Sequence, residues 1–181
     1  TLATLVLTNV QLSQAGTPAS QAFAQQQDAF NVVDNALFYF DRELKDYKVA
    51  IPVGMSLECP STTCPERVES RFAQASNSNI VENIRGFRLL FQGCGPNFSG
   101  LGFDDYLRAS NQGALADRML AATVAAQQSA ETLPQTLEVL LGTDRGRVLA
   151  LYAALKGVSD LLKVDFITAL KQRLSTLLPA T

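Results

Sequence analysis

The sequence predicts an all-α protein, an antiparallel bundle of four to five long helices with one long cysteine-containing loop. Three observations point there. Apolar residues recur at alternating spacings of three and four through most of the chain, which lays them along one helical stripe. No alternation of apolar and polar residues persists beyond a few positions, so strands are not expected. Gly/Pro and Ser/Asn clusters interrupt the stripes where the chain of a bundle has to turn.

Residues 2–14 place Leu2, Leu5, Asn9 and Leu12 on the first stripe. Gly16, Thr17 and Pro18 break it and start the next helix, with Thr17 as N-cap and Pro18 at the first helical position. That helix, over 18–49, carries the strongest periodicity: Phe23, Phe30, Val33, Leu37, Phe40, Leu44 and Tyr47 form its inward seam. Pro52 and Gly54 end it, and 50–76 is a long polar connection. Ser76, Asn77, Ser78 and Asn79 then stand where a helix begins, with Ser78 or Asn79 as N-cap and Glu82 in the first turn. Ile80, Ile84, Phe87 and Phe91 follow as the buried stripe. The segment "GCGPNFSGLG" is a turn, and "FDDYLRAS" a short helix with Asp104 in its first turn. A helix over 112–132 turns Leu115, Met119, Ala122, Ala126, Ala130 and Leu133 inward. Pro134 opens a brief helical piece that Gly142 terminates. The last helix, over 144–175 and capped by Thr143 or Asp144, buries Val148, Leu151, Leu155, Val158, Leu162, Phe166 and Ala169.

With 181 residues, 47% of them hydrophobic and 18% charged, the chain has the composition of one globular domain, taken as 1–181. The net charge is -2 and the basic residues are scattered, with no stripe to track a phosphate backbone, so nucleic acid is not an expected partner. No apolar run is long enough to span a bilayer, and any membrane association requires an anchor outside this chain. The opening "TLATLVLTNV" has no basic n-region and no Met, which reads as a processed or truncated start. Cys59 and Cys64 sit in the Pro-bounded "CPSTTCP", a spacing compatible with a local disulfide and hence an oxidising compartment. Cys94 is either free or the partner of one of the other two.

The chain contains no histidine. That excludes Ser/His/Asp and Cys/His nucleophilic sites, His-Glu zinc helices and Glu-x-x-His di-iron pairs. No catalytic residue is assigned. Four carboxylates remain as candidates for a hard cation: Glu66 and Glu69 ahead of the third helix, Asp104 and Asp105 after the glycine-rich turn. The third helix separates the two sets by roughly 20 Å, and Glu69 and Asp105 read mainly as solvated or capping groups. Arg85 and Arg88, on the polar flank of that helix, are expected to pair with neighbouring acids.

Three segments together resemble a known family: "DAFNVVDNALFYFDRELKDYKVAIPVG", "ERVESRFAQASNSNIVENIRGFRLLFQG" and "GLGFDDYLRASNQGALADRML". In order and spacing they are similar to the C-terminal half of imelysin-like proteins, the insulin-cleaving metalloproteinase family. The features that carry the likeness are a Lys-x-x-x-Pro-x-Gly turn (Lys48, Pro52, Gly54) and a Glu-Ser pair (Glu69, Ser70). An Asn-Ile-x-Gly helix (Asn83, Ile84, Gly86) and a Gly-Leu-Gly-Phe-Asp-Asp turn (Gly102, Asp104, Asp105) complete them. The resemblance runs from residue 28 onward and includes "LYAALKGVSDLLKVDF". It implies a helical domain of a bacterial protein that is periplasmic or anchored to the outer membrane and associated with iron uptake. It also implies iron or another divalent metal in the full-length protein, and a partner that is the family's N-terminal half or another helical domain. The family's Gly-x-His-x-x-Glu motif belongs to that other half and is absent from this sequence. The expected role is therefore to support a metal or ligand site completed elsewhere; the alternative is an autonomous carboxylate metal-binding module or metallopeptidase.

Overall fold

The computed structural model describes residues 16–19 and 22–169. The helix expected over 2–14 and the end of the one expected over 144–175 lie outside them. The described residues contain helices and no strand. Two compact units divide the chain, Thr1–Tyr39 and Phe40–Thr181.

In the first unit, helix α1 spans Gln26–Tyr39. The expected start at Thr17 and Pro18 is corrected. Residues 16–19 form a turn, and the Gly16 N–H donates to the Phe23 carbonyl at 3.2 Å, which folds the chain back before a helix can begin. Leu37 of the predicted seam is buried.

The second unit opens with an unusual helix. Phe40–Ala50, here π1, is a π-helix, and bonds to the residue five back carry on at its end, from Ile51 N–H to the Asp46 carbonyl and from Met55 N–H to the Ala50 carbonyl. Its buried residues are Phe40, Leu44, Lys45, Val49 and Ala50, a repeat of four to five. At about 100° per residue an α-helix would turn Val49 away from Phe40; the wider π turn keeps both inside and brings Lys45 in with them. The same change of register corrects Tyr47, predicted inward and in fact 38% exposed.

Helix α2 is Ser76–Gln92, α3 Phe103–Ala109, α4 Gly113–Glu131, α5 Leu137–Thr143 and α6 Arg145–Asp160. A second π segment, π2 (Leu161–Phe166), continues α6. Neighbouring members of the bundle pack in a ring: π1 on α2, α2 on α4, α4 on α6, and α6 back on π1. Side-chain links show the antiparallel sense. Asp41 meets Lys163 and Lys45 meets Tyr152, so π1 and α6–π2 run oppositely; Arg118 near the start of α4 reaches Asp165 in π2 at 2.8 Å.

The α6–π2 stripe is buried throughout, from Val148 to Ala169, as its spacing predicts. Ile80, Ile84, Phe87 and Phe91 of α2 are likewise inside. On α4 the buried set is Leu115, Ala116, Met119, Thr123, Ala126 and Ala130, so Thr123 takes the place expected for Ala122, and Leu133 lies past the helix end. The Thr123 hydroxyl is satisfied there by donating to the Met119 carbonyl at 2.8 Å, which removes the cost of burying it. Gly142 does not terminate α5, which runs on to Thr143; Asp144 then precedes α6 and accepts from Arg147 Nε at 3.1 Å.

The connection between π1 and α2 is folded and pinned. Cys59 and Cys64 form a disulfide, both nearly buried with Ile51, and Cys94 is a free, exposed thiol. The Cys64 N–H donates to the Pro52 carbonyl at 2.8 Å. Arg145 donates through Nε and a terminal nitrogen to the Val53 carbonyl, at 3.0 and 2.9 Å.

Candidate functional site

The family-like segments converge on the two ends of α2. At its N-terminal end Lys48, the last basic residue of π1, pairs with Glu69 at 3.0 Å, and Asn79 donates to the Ser70 hydroxyl at 2.9 Å. The Lys-x-x-x-Pro-x-Gly turn and the Glu-Ser pair thus belong to one local construction, in which Gly54 is required. Its φ is +76°, and a Cβ there would lie 2.1 Å from the Thr62 carbonyl oxygen.

The Ser/Asn cluster at this end does not cap α2, and that expectation is corrected. The residue ahead of the helix is Ala75, and Ser76–Asn79 are its first turn. Ser78 donates to the Ala75 carbonyl at 2.9 Å, and the first two side chains bind other segments: Ser76 donates to Glu138 Oε1 at 3.0 Å, and Asn77 both donates to the Gln135 carbonyl and accepts from the Leu137 N–H, each at 2.9 Å. Asn77 therefore satisfies the first turn of α5 from across the bundle. Glu82 is beyond the first turn of α2 and pairs loosely with Arg85. Arg88 departs from its expected acid partner: it donates to Gln92 and Gln127 and lies 4.0 Å from the centre of the Phe98 ring.

At the other end, Gly102 packs against the last turn of α2. A Cβ on it would meet the Phe91 carbonyl oxygen at 2.3 Å. Asp105 folds back to accept from the Gly102 N–H at 3.1 Å, capping α3. Asp104 differs. Its Oδ1 is buried without a hydrogen-bond partner, and burial, reinforced by the neighbouring Asp105 charge, raises its pKa above the ordinary carboxylate range. On α2 itself, Asn83 Nδ2 is also buried and unpartnered, while a Cβ added to Gly86, one turn on, would meet nothing within 4 Å.

Asn79, which holds Ser70, and Phe91, which touches Gly102, are twelve positions apart on α2, roughly 18 Å along the axis. Glu66, on an exposed 3₁₀ turn, and Glu69 therefore stand at the opposite end of the helix from Asp104 and Asp105. Among the described residues no group of three or more Asp, Glu, Cys or His side chains could hold a metal ion. The carboxylates present are a partial donor set, and Glu69 and Asp105 already serve Lys48 and Gly102.

A second polar centre was not singled out from the sequence. Lys45, 6% exposed, is held between Asp41 (3.3 Å) and Asp46, with its ammonium 5.8 Å from the Tyr152 ring centre. Lys163 of π2 meets the other oxygen of Asp41 at 2.7 Å. Burial alone would raise the Asp41 pKa, but the bonds and charges of Lys163 and Lys45 outweigh it and bring the carboxyl below its usual value. For Lys45 burial favours the neutral amine, and Asp46 and Asp41 reverse that, so the ammonium is retained. The Asp41–Lys45 spacing of four was a visible signal for an ion pair. Its burial was not, because that depends on the π turn.

A helical bundle with polar clusters at both ends of α2 and between π1 and π2 is a domain of the kind that builds sites between helices. The family model described as Imelysin matches residues 2–163, and the chain belongs to that family. No curated protein and no solved structure matches it. No helix among the described residues is long and apolar enough to cross a membrane.

Proposed function

We propose that this chain is the supporting helical part of an imelysin-family protein of the bacterial periplasm or outer membrane, associated with iron uptake. In this reading it contributes to a metal or ligand site that an N-terminal half completes. The observation that carries it is Asp104. In a motif shared with the family, this carboxylate keeps a buried oxygen without a partner, whereas Glu69 and Asp105 are bonded within the fold. Leaving a buried acceptor unsatisfied costs on the order of 1–3 kcal/mol, and a donor or cation brought by another part of the protein removes that cost. The chain has no histidine, so any imidazole ligand must come from outside it. The Cys59–Cys64 bridge supports an oxidising compartment.

Calorimetric titration with iron and with calcium tests the reading, comparing this chain alone with a protein that also carries the upstream half. Metal binding by the longer protein, lost in its Asp104→Asn variant and absent from the short chain, is the expected result. Equal binding by the short chain points instead to an autonomous carboxylate site and removes the proposal. The fold supplies an independent readout. Because the folded-state pKa of Asp104 is raised, its stabilising form is the protonated one, fully present below the unfolded pKa and lost as pH rises through the folded value. Asp104→Asn should therefore gain stability relative to the parent as pH increases from acid to neutral.

A further inference from the structure

We propose that π1 is a two-register element: the buried pairing of Lys45 with Asp41 and Asp46 holds it in the π register, and release of Lys45 rewinds the same residues as an α-helix that turns Tyr47 inward and parts Lys48 from Glu69.

Two repeats are written into this one segment. In the structure Phe40, Leu44, Lys45 and Val49 are inside and Tyr47 is outside. Wound instead at about 100° per residue, Phe40, Leu44 and Tyr47 fall within about 60° of one another, while Lys45 and Val49 stand about 140° and 180° from Phe40. The α register therefore has an apolar stripe of its own. Backbone preference favours it too: π turns occur mostly as single-turn bulges inside α-helices, whereas π1 covers eleven residues.

What opposes rewinding sits at position 45. Among the described residues Lys45 is the one charged side chain that is buried. It meets Asp41 at 3.3 Å and Asp46, and its ammonium lies 5.8 Å from the centre of the Tyr152 ring on α6. Lys163 of π2 fixes Asp41 from the other side at 2.7 Å. The attraction within a buried ion pair is largely offset by the desolvation of both charges, and the best-attested use of such a group is to set register. Lys45 thus selects between two windings of similar stability.

The choice reaches the family-like motif. Rewinding turns Val49 from the inside to the outside and carries its neighbour Lys48 with it, so the 3.0 Å pair of Lys48 with Glu69 belongs to the π register. The register of π1 decides whether the Lys-x-x-x-Pro-x-Gly turn and the Glu-Ser pair are joined.

The sequence contains no tryptophan, so Tyr47→Trp places a single reporter where exposure separates the two registers. Alone, it should emit as a partly exposed indole open to acrylamide. Adding Lys45→Glu sets a third carboxylate against Asp41 and Asp46 and expels the side chain. Emission should then shift to the blue, and the acrylamide quenching constant should fall roughly threefold as the indole leaves water, with the helical circular dichroism kept. Asp41→Asn, which removes one of the two partners of Lys45, should move both readouts the same way by less. Fraying or unfolding moves them oppositely, to red emission and faster quenching, so loss of structure cannot imitate the result. A fall in quenching in either variant supports the proposal; unchanged or increased quenching in both overturns it. No metal is involved, so the result is independent of the site assigned to Asp104.

Discussion

Two glycines of the family-like motifs behave oppositely under the same substitution, and the difference lies in what surrounds each Cα. Gly54 combines a left-handed φ of +76° with a carbonyl oxygen 2.1 Å from where a Cβ would be. Gly54→Ala should cost about 2–4 kcal/mol, since backbone strain and a clash with fixed main chain add. Gly86 lies within α2 and faces open space. Gly86→Ala should stabilise the isolated chain by up to about 1 kcal/mol through helix propensity alone. Urea denaturation of both variants checks the pair. A Gly86→Ala variant that is instead destabilised would mean that another segment already occupies that space. The sequence marks both positions as family features; their steric surroundings come from chain segments that approach only after folding.

Helix starts and turns were largely legible, and the exceptions share a cause. The stripes of α2, α4 and α6 were correct to within a few residues because their apolar faces are broad and their spacing regular. The first turn of α2 misled: Ser and Asn ahead of an apolar stripe ordinarily cap, but here Asn77 is used across the bundle on Gln135 and Leu137. Asn77→Ala should remove both bonds and cost about 1–2 kcal/mol. In hydrogen exchange, amides of α5 (Leu137–Thr143) should lose protection first while those of α4 keep theirs. Uniform loss across the bundle would show that the link is not local. The π register of Phe40–Ala50 misled differently. Its polar and apolar residues also fit a three-four repeat, and only the buried set, with Lys45 inside and Tyr47 out, reveals the wider turn.

Across the second unit, a chain of aromatic rings connects the bundle members. Phe40 of π1 meets Phe87 at 4.7 Å, Phe87 stacks on Phe91 at 5.9 Å, and Phe91 meets Phe166 of π2 at 6.4 Å, which meets Phe103 of α3 at 5.4 Å. Phe91 is the link between the α2 rings and the π2 ring and is 1% exposed. Phe91→Ala should destabilise the fold by about 3–5 kcal/mol, the transfer and cavity cost of a buried ring, measured by urea unfolding. Phe91→Leu should recover more than half of that loss. A cost below about 1 kcal/mol would mean that the rings contact without being packed.

The sequence by itself determined that the described chain is helical, where most helices turn, which faces they bury, and which family it belongs to. These properties are periodic or local, and each is written in residues close together along the chain. Tertiary structure alone decided that Lys45 is an interior charge, that Asn77 serves a distant helix, and that Asp104 keeps an unpartnered oxygen. Each of these depends on groups brought near one another by packing or by a turn wider than the α-helix, and neither the burial of a charge nor a missing partner has a signature in linear spacing.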